Sequence, residues 1–557
     1  VPSTKKKTKY IFVSGGVISG IGKGITAASI ALLLKSAGYK IAPIKFENYL
    51  NLDAGTINPI EHGDPFLCED GTEGDMDIGT YEKFLNQDMG KESFVTMGRI
   101  YQTVIDKERR FEYHGEDVEA IPHLTDEITR RIDEVAKIHD ADIVIIELGG
   151  TAGEYQNIFY YEASRIMTLK RPGDVVHVHV SYMPTPSHLG EPKTKPTQLS
   201  VRTLNSMGIQ PDLIIARSDQ FLDERRRARF ALFCNMHPED IISNPDVESV
   251  YEIPLILHDQ GIEKRIFQKL GLVVKKPKLD EWKTFVDGVK VEKKKTVEIA
   301  IVGKYFGTGQ YELRDSYAAL LDAIDHACWK VGVNVKTKWV NAEKVEKNGP
   351  EKEIGKPDGI IVPIGWGERG TEGMIQAASY ARKKKIPYLG LCYGMQLAVI
   401  AYARDMLGWK DASSTEINPK SKHQVIHLIP SQAELMERRA YGGTMRLGSW
   451  EALVKKGTKA YEIYKKYGEM TDPETGLTSE RHRHRYEFND EYTNEMEEKG
   501  LIISARSKVE NLVEIIELSE KDHPFYMGTQ GHPEYKSRPL KPHPLFIEFI
   551  EVASKQK

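Results

Sequence analysis

The sequence predicts an α/β protein with two doubly wound parallel-sheet domains, and three observations carry that prediction. Apolar strand-like runs alternate with helix-length segments through both halves of the 557 residues: Tyr10 to Val13, Lys40 to Ile44, Ile143 to Ile146, Val175 to Val180 and Leu213 to Ile215, then Val297 to Ile301, Gly359 to Val362 and Ile386 to Leu391. Such alternation builds parallel sheets covered by helices. A charged stretch, Lys275 to Lys295, broken by Pro277, separates the two series and reads as a linker between domains at 1–274 and 296–557. Each series also carries a glycine-framed turn between a strand and a helix, which is where such sheets place their chemistry.

Composition narrows the function classes. A net charge of −4 argues against nucleic acid or an anionic membrane as the main partner. Four cysteines, Cys68, Cys234, Cys328 and Cys392, are widely spread without a C-x-x-C pair, which suits a reducing compartment and excludes a zinc site. The longest uncharged stretch, Ile386 to Ala403, contains Pro387, glycines and Gln396, so it reads as a buried strand, turn and helix rather than a membrane span. Lys5-Lys6-Lys7 leads into a short strand and a glycine loop, not a signal-peptide core, so the expected location is the cytoplasm. The basic run Arg382 to Lys385 reads as a solvated helix face.

The first strand runs into Ser14-Gly15-Gly16-Val17-Ile18-Ser19-Gly20-Ile21-Gly22-Lys23-Gly24-Ile25-Thr26 and then an Ala-rich helical segment. Strand, glycine loop, lysine and helix in that order make a phosphate-binding loop, whose amides cradle phosphates while Lys23 neutralises them. One residue is extra before Gly22, and Gly24 stands where a hydroxyl residue would ligate magnesium. The metal must therefore lean on carboxylates. Glu147 ends the strand Asp142 to Ile146, where an acid belongs at the carboxyl edge of a sheet. Asp77 lies in the acid-rich run Asp70 to Asp77, which spacing alone explains equally well as a solvated loop or a ligand source.

In the second half, Gly390-Leu391-Cys392-Tyr393-Gly394-Met395-Gln396 and Gly531-His532-Pro533-Glu534-Tyr535 supply a nucleophile, a base and an orienting acid. Cys392 falls on a sharp strand-to-helix turn near a helix N-terminus, which favours thiolate. His532 takes the thiol proton, and Glu534 holds the other ring nitrogen. A lone cysteine or histidine is more often core, but the glycine frame and the His-x-Glu spacing point to thiol acyl transfer.

These two motifs resemble the class I (triad) glutamine amidotransferases, which release ammonia from glutamine, and imply a flavodoxin-like glutaminase domain. In the first half, Asn51 to Thr56, Glu61-His62-Gly63, Asp75 to Glu82, Gly98 to Tyr101, Lys107 to Arg110, Ile121-Pro122-His123 and Lys193-Thr194-Lys195-Pro196-Thr197-Gln198 are similar, in order, to the CTP synthase family. That resemblance covers nearly the whole chain. It implies a P-loop synthase domain, ATP, Mg²⁺, UTP and L-glutamine as ligands, GTP as an activator, and phosphorylation of the UTP O4 before ammonia displaces the phosphate. Homotetramers and filaments are further implications.

Carried over residue by residue, the resemblance implies that Ser14, Gly16, Ser19, Gly20, Ile21, Gly22, Lys23, Gly24, Ile25 and Lys45 surround ATP, with Asp77 and Glu147 on Mg²⁺. Lys193, Lys195, Gln198 and Arg229, the last where a lysine is usual, match the UTP segment. Gln396, Glu416 and Arg483 hold glutamine, and the amides of Gly365 and Tyr393 are the candidate oxyanion donors. Arg446 in Gly442 to Gly448 also matches, and Glu480 to Tyr486, otherwise readable as a surface basic patch, belongs to the same match. His62 is a candidate wall of the shielded passage that two such sites require, and a hydrogen-bonded core histidine is the other reading.

Departures from the family pattern mark where contacts differ. Lys45-Phe46-Glu47-Asn48-Tyr49 replaces K-L-D-P-Y beside the phosphates, Tyr155-Gln156-Asn157 replaces I-E-S where CTP feedback contacts fall, Pro363 to Gly367 replaces P-G-G-F-G, and Gly307 to Gln310 is inserted in a region tied to GTP activation. Two other readings stay open at this stage: a different P-loop synthetase fused to a triad glutaminase, such as a cobyrinic acid amide synthase, and a silent assembly protein. K-T-K-P-T-Q argues against the first, and the intact triad against the second.

Overall fold

The structure, a computed structural model, describes residues 7–58, 63–188, 190–304, 307–308, 311–312, 314–439 and 441–556. They form two compact units, one from the described residues of 1–53 with 77–290, the other from 54–76 with 291–557.

In the first unit a seven-stranded sheet is parallel throughout. Its strands are β1 (Lys9–Gly16), β2 (Ile41–Glu47), β3 (Phe94–Thr96), β4 (Ile143–Leu148), β5 (Val175–Tyr182), β6 (Leu213–Ser218) and β7 (Ile241–Pro245), in the order β3-β2-β4-β1-β5-β6-β7. Strands such as Ile143-Val144-Ile145-Ile146 are apolar without alternation because helices cover both faces, and all four residues are fully buried. The helix α1 (Lys23–Ser36) follows β1, α2 (Met76–Leu85) carries Asp77 in its first turn, and α3 (Lys195–Ser206) opens with Pro196. Strand order reverses around β1, so the loops after β1, β2 and β4 meet at one carboxyl edge.

The expected linker is largely structured. Asp280–Lys290 is a helix that buries Trp282 and Val286 in the first unit, and the Trp282 indole donates to the Tyr251 carbonyl at 2.9 Å. Its charged face hid an amphipathic helix, because Trp282, Phe285, Val286 and Val289 recur at helical spacing.

The second unit holds a nine-stranded sheet of β8 (Thr296–Gly303), β9 (Asn334–Asn341), β10 (Gly359–Val362), β11 (Tyr388–Leu391), β12 (Arg446–Val454), β13 (Leu477–His484), β14 (Ile502–Ser507), β15 (Val513–Glu517) and β16 (Tyr526–Thr529). The order is β9-β8-β10-β11-β16-β15-β14-β12-β13. The first five in that order are parallel, and the remaining four are added antiparallel. Apolar periodicity does not announce this extension, since β13 reads Leu-Thr-Ser-Glu-Arg-His-Arg-His and is buried as polar side chains. Two apolar clusters cover the sheet, one including Met374, Ala378, Leu397 and Val399, the other Leu320, Ala323, Phe546 and Phe549.

Candidate active sites

At the carboxyl edge of the second sheet, β11 ends at Leu391, paired in register with Thr529 of β16. That register sets the loop carrying Cys392 beside the one carrying His532, although they lie far apart in sequence. The Cys392 amide donates to the Thr529 carbonyl at 2.7 Å, fastening the two loops. Cys392 has φ 49° and ψ −99°, a strained conformation for a side-chain-bearing residue, at the N-terminus of α4 (Tyr393–Tyr402). The elbow closes only because its flanks lack side chains. A Cβ on Gly390 would lie 2.7 Å from the Gly394 carbonyl, and one on Gly394 would lie 1.9 Å from the Val362 oxygen.

His532 is fully buried, and its Nδ1 bonds Glu534 Oε1 at 2.8 Å. Burial by itself lowers the imidazole pKa, but Glu534 and Cys392 outweigh it and push it up to about 10. Its Nε2 has no hydrogen-bond partner among the described residues and is the nitrogen available to the thiol. The Cys392 sulfur lies 3.9 Å from the Arg483 carbonyl and accepts from Gln530 Nε2 at 3.4 Å.

A cavity of about 630 Å³ opens beside the sulfur, and its lining includes Gly365, Cys392, Tyr393, Gln396, Glu416 and Arg483. Arg483 is held by Glu73 at 2.6 Å and by the Gly55 carbonyl at 3.1 Å. Among the described residues its Nη1 makes no hydrogen bond and lies 3.8 Å from Asp64, so one face of the guanidinium remains for an anion. Glu416 accepts from the Gly367 amide at 2.9 Å. Lys304 donates to the Gly367 carbonyl at 2.7 Å and lies over the Tyr393 ring, and burial lowers its pKa to about 8.

Behind the triad, Arg446 reaches His482 and His484 at 3.0 and 3.2 Å and Glu514 at 2.8 Å. Burial raises the Glu514 carboxyl to about 7 against the pull of Arg446, with Glu487 and Glu510 adding to the rise. A carboxyl raised in the folded state binds its proton more tightly there than when unfolded. Stability therefore falls as pH rises from about 4.5 to about 7, by about 3 kcal/mol. Glu514→Gln is expected to flatten the unfolding free energy over that window in denaturant titrations. An unchanged pH slope counts against this origin.

In the first unit, register explains the other cluster: Lys45 pairs with Glu147, and Val13 with Glu147 on its other side. Lys45 Nζ lies 2.6 Å from Asp77, 2.6 Å from Glu147 and 3.0 Å from Glu47. Burial opposes its charge, but these three carboxylates hold its pKa well above the usual lysine range. Tyr81 donates to Glu147 at 2.9 Å. Lys23 donates to the Gly150 carbonyl at 2.8 Å, with a pKa lowered by burial and by Lys45. Gly24 admits the acids, since a Cβ there would lie 2.4 Å from Asp77 Oδ1. Gly20 and Gly22 take positive φ of 71° and 84°, and the exposed Ser19 and Gly20 lead to Ile21 and Gly22 before the half-buried Ile25. Ser14 Oγ and His179 Nδ1 are 2.9 Å apart, and His179 Nε2 meets Ser200 Oγ at 2.9 Å, so one neutral imidazole ties β1 to α3. Gly16 makes room for that bridge, because a Cβ there would lie 1.9 Å from Ser200 Oγ.

Residues 9–272 match the family model described as CTP synthase N-terminus, and 312–552 match that of glutamine amidotransferase class-I. The chain is 48% identical over 547 residues to the CTP synthase of Caldanaerobacter subterraneus subsp. tengcongensis, covering 98% of each. With the CTP synthase of Pyrococcus furiosus the identity is 47% over 552 residues, covering 99% of this chain and 98% of that one. The chain belongs to the CTP synthase family. Among solved structures, a Trypanosoma brucei CTPS glutaminase domain with bound acivicin is 34% identical and covers 47% of this chain and 95% of its own, at a TM-score of 0.41.

Within this member of the family, the structure gathers Cys392, His532, Glu534, Gly365, Tyr393, Gln396, Glu416 and Arg483 in one unit, and Lys23, Lys45, Asp77 and Glu147 in the other. Lys193 pairs with Glu191, which Arg226 also reaches at 2.9 Å. Lys195 is exposed, and Gln198 donates to Thr194 at 3.0 Å. Arg229 is exposed with its guanidinium over Phe233, so Arg226 rather than Arg229 is the arginine beside Lys193. Of Tyr155-Gln156-Asn157, Gln156 lines a cavity of about 860 Å³ together with Asn48, Leu50 and Tyr101, whereas Asn157 is buried on the Gly149 and Thr151 carbonyls. His62 lies outside the described residues. So do Gly309 and Gln310 of the inserted stretch, whose backbone at Gly307–Thr308 pairs antiparallel with Tyr311–Glu312.

Glu47, Glu73, His179, Lys304 and Gln530 were not singled out for these contacts from sequence. Glu47 stands out in the sequence only as a departure from the family pattern. The others carry no local motif, and an acid 410 residues from its arginine leaves no spacing to read. Among the described residues no helix is long and apolar enough to cross a membrane.

Proposed function

We propose that the two units divide one reaction: the second releases ammonia from glutamine at Cys392, and the first activates UTP with ATP and accepts that ammonia. The chain is an enzyme of the CTP synthase family, converting UTP to CTP with glutamine as nitrogen donor. One observation supports the division of labour: Cys392 and the His532–Glu534 pair lie in one unit, and Lys23 and Lys45 lie beside Asp77 and Glu147 in the other.

In the glutaminase site, His532 Nε2 takes the Cys392 proton, and the sulfur attacks the substrate amide carbon. The amides of Gly365 and Tyr393 receive the oxyanion. The α-carboxylate of glutamine fits Arg483 Nη1. Both N–H groups of Gln396 are engaged, by the Tyr486 carbonyl at 2.9 Å and Gln530 Oε1 at 3.1 Å, which leaves its carbonyl oxygen to face an α-ammonium. His532 then gives that proton to the amide nitrogen of the tetrahedral intermediate, whose carbon–nitrogen bond breaks to release neutral ammonia and leave a thioester, and water hydrolyses the thioester to glutamate and the free thiol.

In the synthase site, Lys23 and the amides around Gly20 and Gly22 hold ATP phosphates, and Lys193, Lys195 and Gln198 hold UTP. An oxygen on a pyrimidine ring leaves poorly until phosphorylated, so transfer of a phosphoryl group to O4 precedes displacement by ammonia. Asp77 and Glu147 converge as hard oxygen donors, and no group of three His, Cys, Asp or Glu side chains forms a metal cage among the described residues. That fits Mg²⁺, which takes one or two carboxylates and completes its shell with phosphates and water. When bound, it neutralises charge on the transferring phosphoryl group. Lys45 shares this acidic focus and balances its charge.

GTP activation, a cytoplasmic location and homotetramers or filaments complete the proposal, on the family resemblance. Protein supplied with UTP, ATP and Mg²⁺ is expected to form CTP with either glutamine or ammonium, read by chromatography. No CTP with ammonium overturns the assignment of the first unit. Light scattering with and without nucleotides is expected to show a tetramer, and a monomer under both conditions refutes that assembly.

A further inference from the structure

We propose that Gln530 is a further catalytic residue of the glutamine-hydrolysing site, whose carboxamide N–H stabilises the Cys392 sulfur as thiolate. This rests on Cys392 being the nucleophile. Gln530 follows β16 directly, is 1% exposed, and its backbone is fixed by a 2.8 Å bond from its amide to the Glu514 carbonyl. Its Nε2 lies 3.4 Å from the sulfur.

The direction of that amide follows from its neighbours. The Tyr486 carbonyl can only accept, so the group of Gln396 lying 2.9 Å from it is the NH₂. The same NH₂ lies 3.1 Å from the Gln530 side chain, which must turn its oxygen there. The Gln530 nitrogen is therefore the atom left to face Cys392. A chain of fixed polarity, Tyr486 carbonyl to Gln396 to Gln530 to sulfur, ends on a donor aimed at the reacting atom. A buried N–H with no acceptor is costly, and a thiolate accepts far better than a thiol. Gln530 transfers no proton. The thiol proton goes to His532 Nε2, and Gln530 stabilises the charge left behind.

The same chain tunes substrate binding only indirectly, because Gln530 is not among the residues lining the substrate cavity. The expected signature is thus on kcat rather than KM. Gln530→Glu replaces the donor with an acceptor that carries charge, and Gln530→Met keeps the approximate shape without a donor.

The test is the pH dependence of Cys392 alkylation by iodoacetamide, followed by peptide mass spectrometry, with circular dichroism checking that each variant is folded. In both variants the pH of half-maximal alkylation is expected to rise by about one unit or more, with Gln530→Glu the larger. Glutamine hydrolysis should lose roughly 10–100-fold in kcat with KM within about threefold, the size of one lost charge-stabilising donor. A midpoint unchanged in both folded variants, or a loss confined to KM, overturns the proposal. Wild-type protein alkylated at Cys392 that still hydrolyses glutamine would instead refute the nucleophile assignment, so the two failures are distinguishable.

Discussion

Cys392→Ala is expected to abolish glutamine-dependent CTP formation, with a loss of roughly 10³-fold or more, while the ammonium-dependent rate stays within about twofold of wild type. Alanine removes the sulfur proposed to attack the amide, and neither His532 nor Glu534 offers a nucleophile in its place. The substitution is also among the mildest available. Cys392 sits at φ 49°, so alanine adds no atoms at a backbone already strained, and the Gly390 and Gly394 contacts that close the elbow are untouched. The ammonium-dependent rate is the decisive readout, since it depends on the first unit alone. Equal loss of both rates would sink the two-site reading.

Lys23→Ala is expected to reduce CTP formation from both nitrogen sources by about 10²-fold or more, while glutamine hydrolysis measured as glutamate release persists. Lys23 is buried at the start of α1, and its ammonium rests on the Gly150 carbonyl, a partner that phosphate oxygens would displace. Without it the phosphates face the helix N-terminus but lose their nearest movable cation. Lys45 cannot stand in, because Asp77, Glu147 and Glu47 already hold its charge. CTP formation at a normal rate in this variant would refute the phosphate-loop assignment.

Much of both sites was legible in the sequence because their chemistry is written locally. The elbow at Cys392 needs glycines two residues before and after it, and the His532–Glu534 pair needs only a proline between its members. The phosphate loop is similarly local, and the carboxylates to which its missing hydroxyl at Gly24 points, Asp77 and Glu147, lie together around Lys45. The linker was harder. Lys275 to Lys295 is charged enough to read as solvated, but Trp282 and Val286 bury one face of a helix within it. The antiparallel extension escaped periodicity entirely, since β13 buries arginines and histidines where an apolar alternation would normally mark a strand.

By itself the sequence determined the α/β class, the two strand-to-helix turns and the residues proposed as nucleophile, base and phosphate ligand. These depend on backbone sterics and side-chain types within a few residues. Only the tertiary structure decided that Leu391 pairs with Thr529, that Glu73 holds Arg483, that three carboxylates surround Lys45 and that the Gln530 nitrogen faces sulfur. Each joins segments distant along the chain. Strand register and the polarity of a buried hydrogen-bond chain are collective properties, settled when whole sheets pack and every buried donor must find an acceptor.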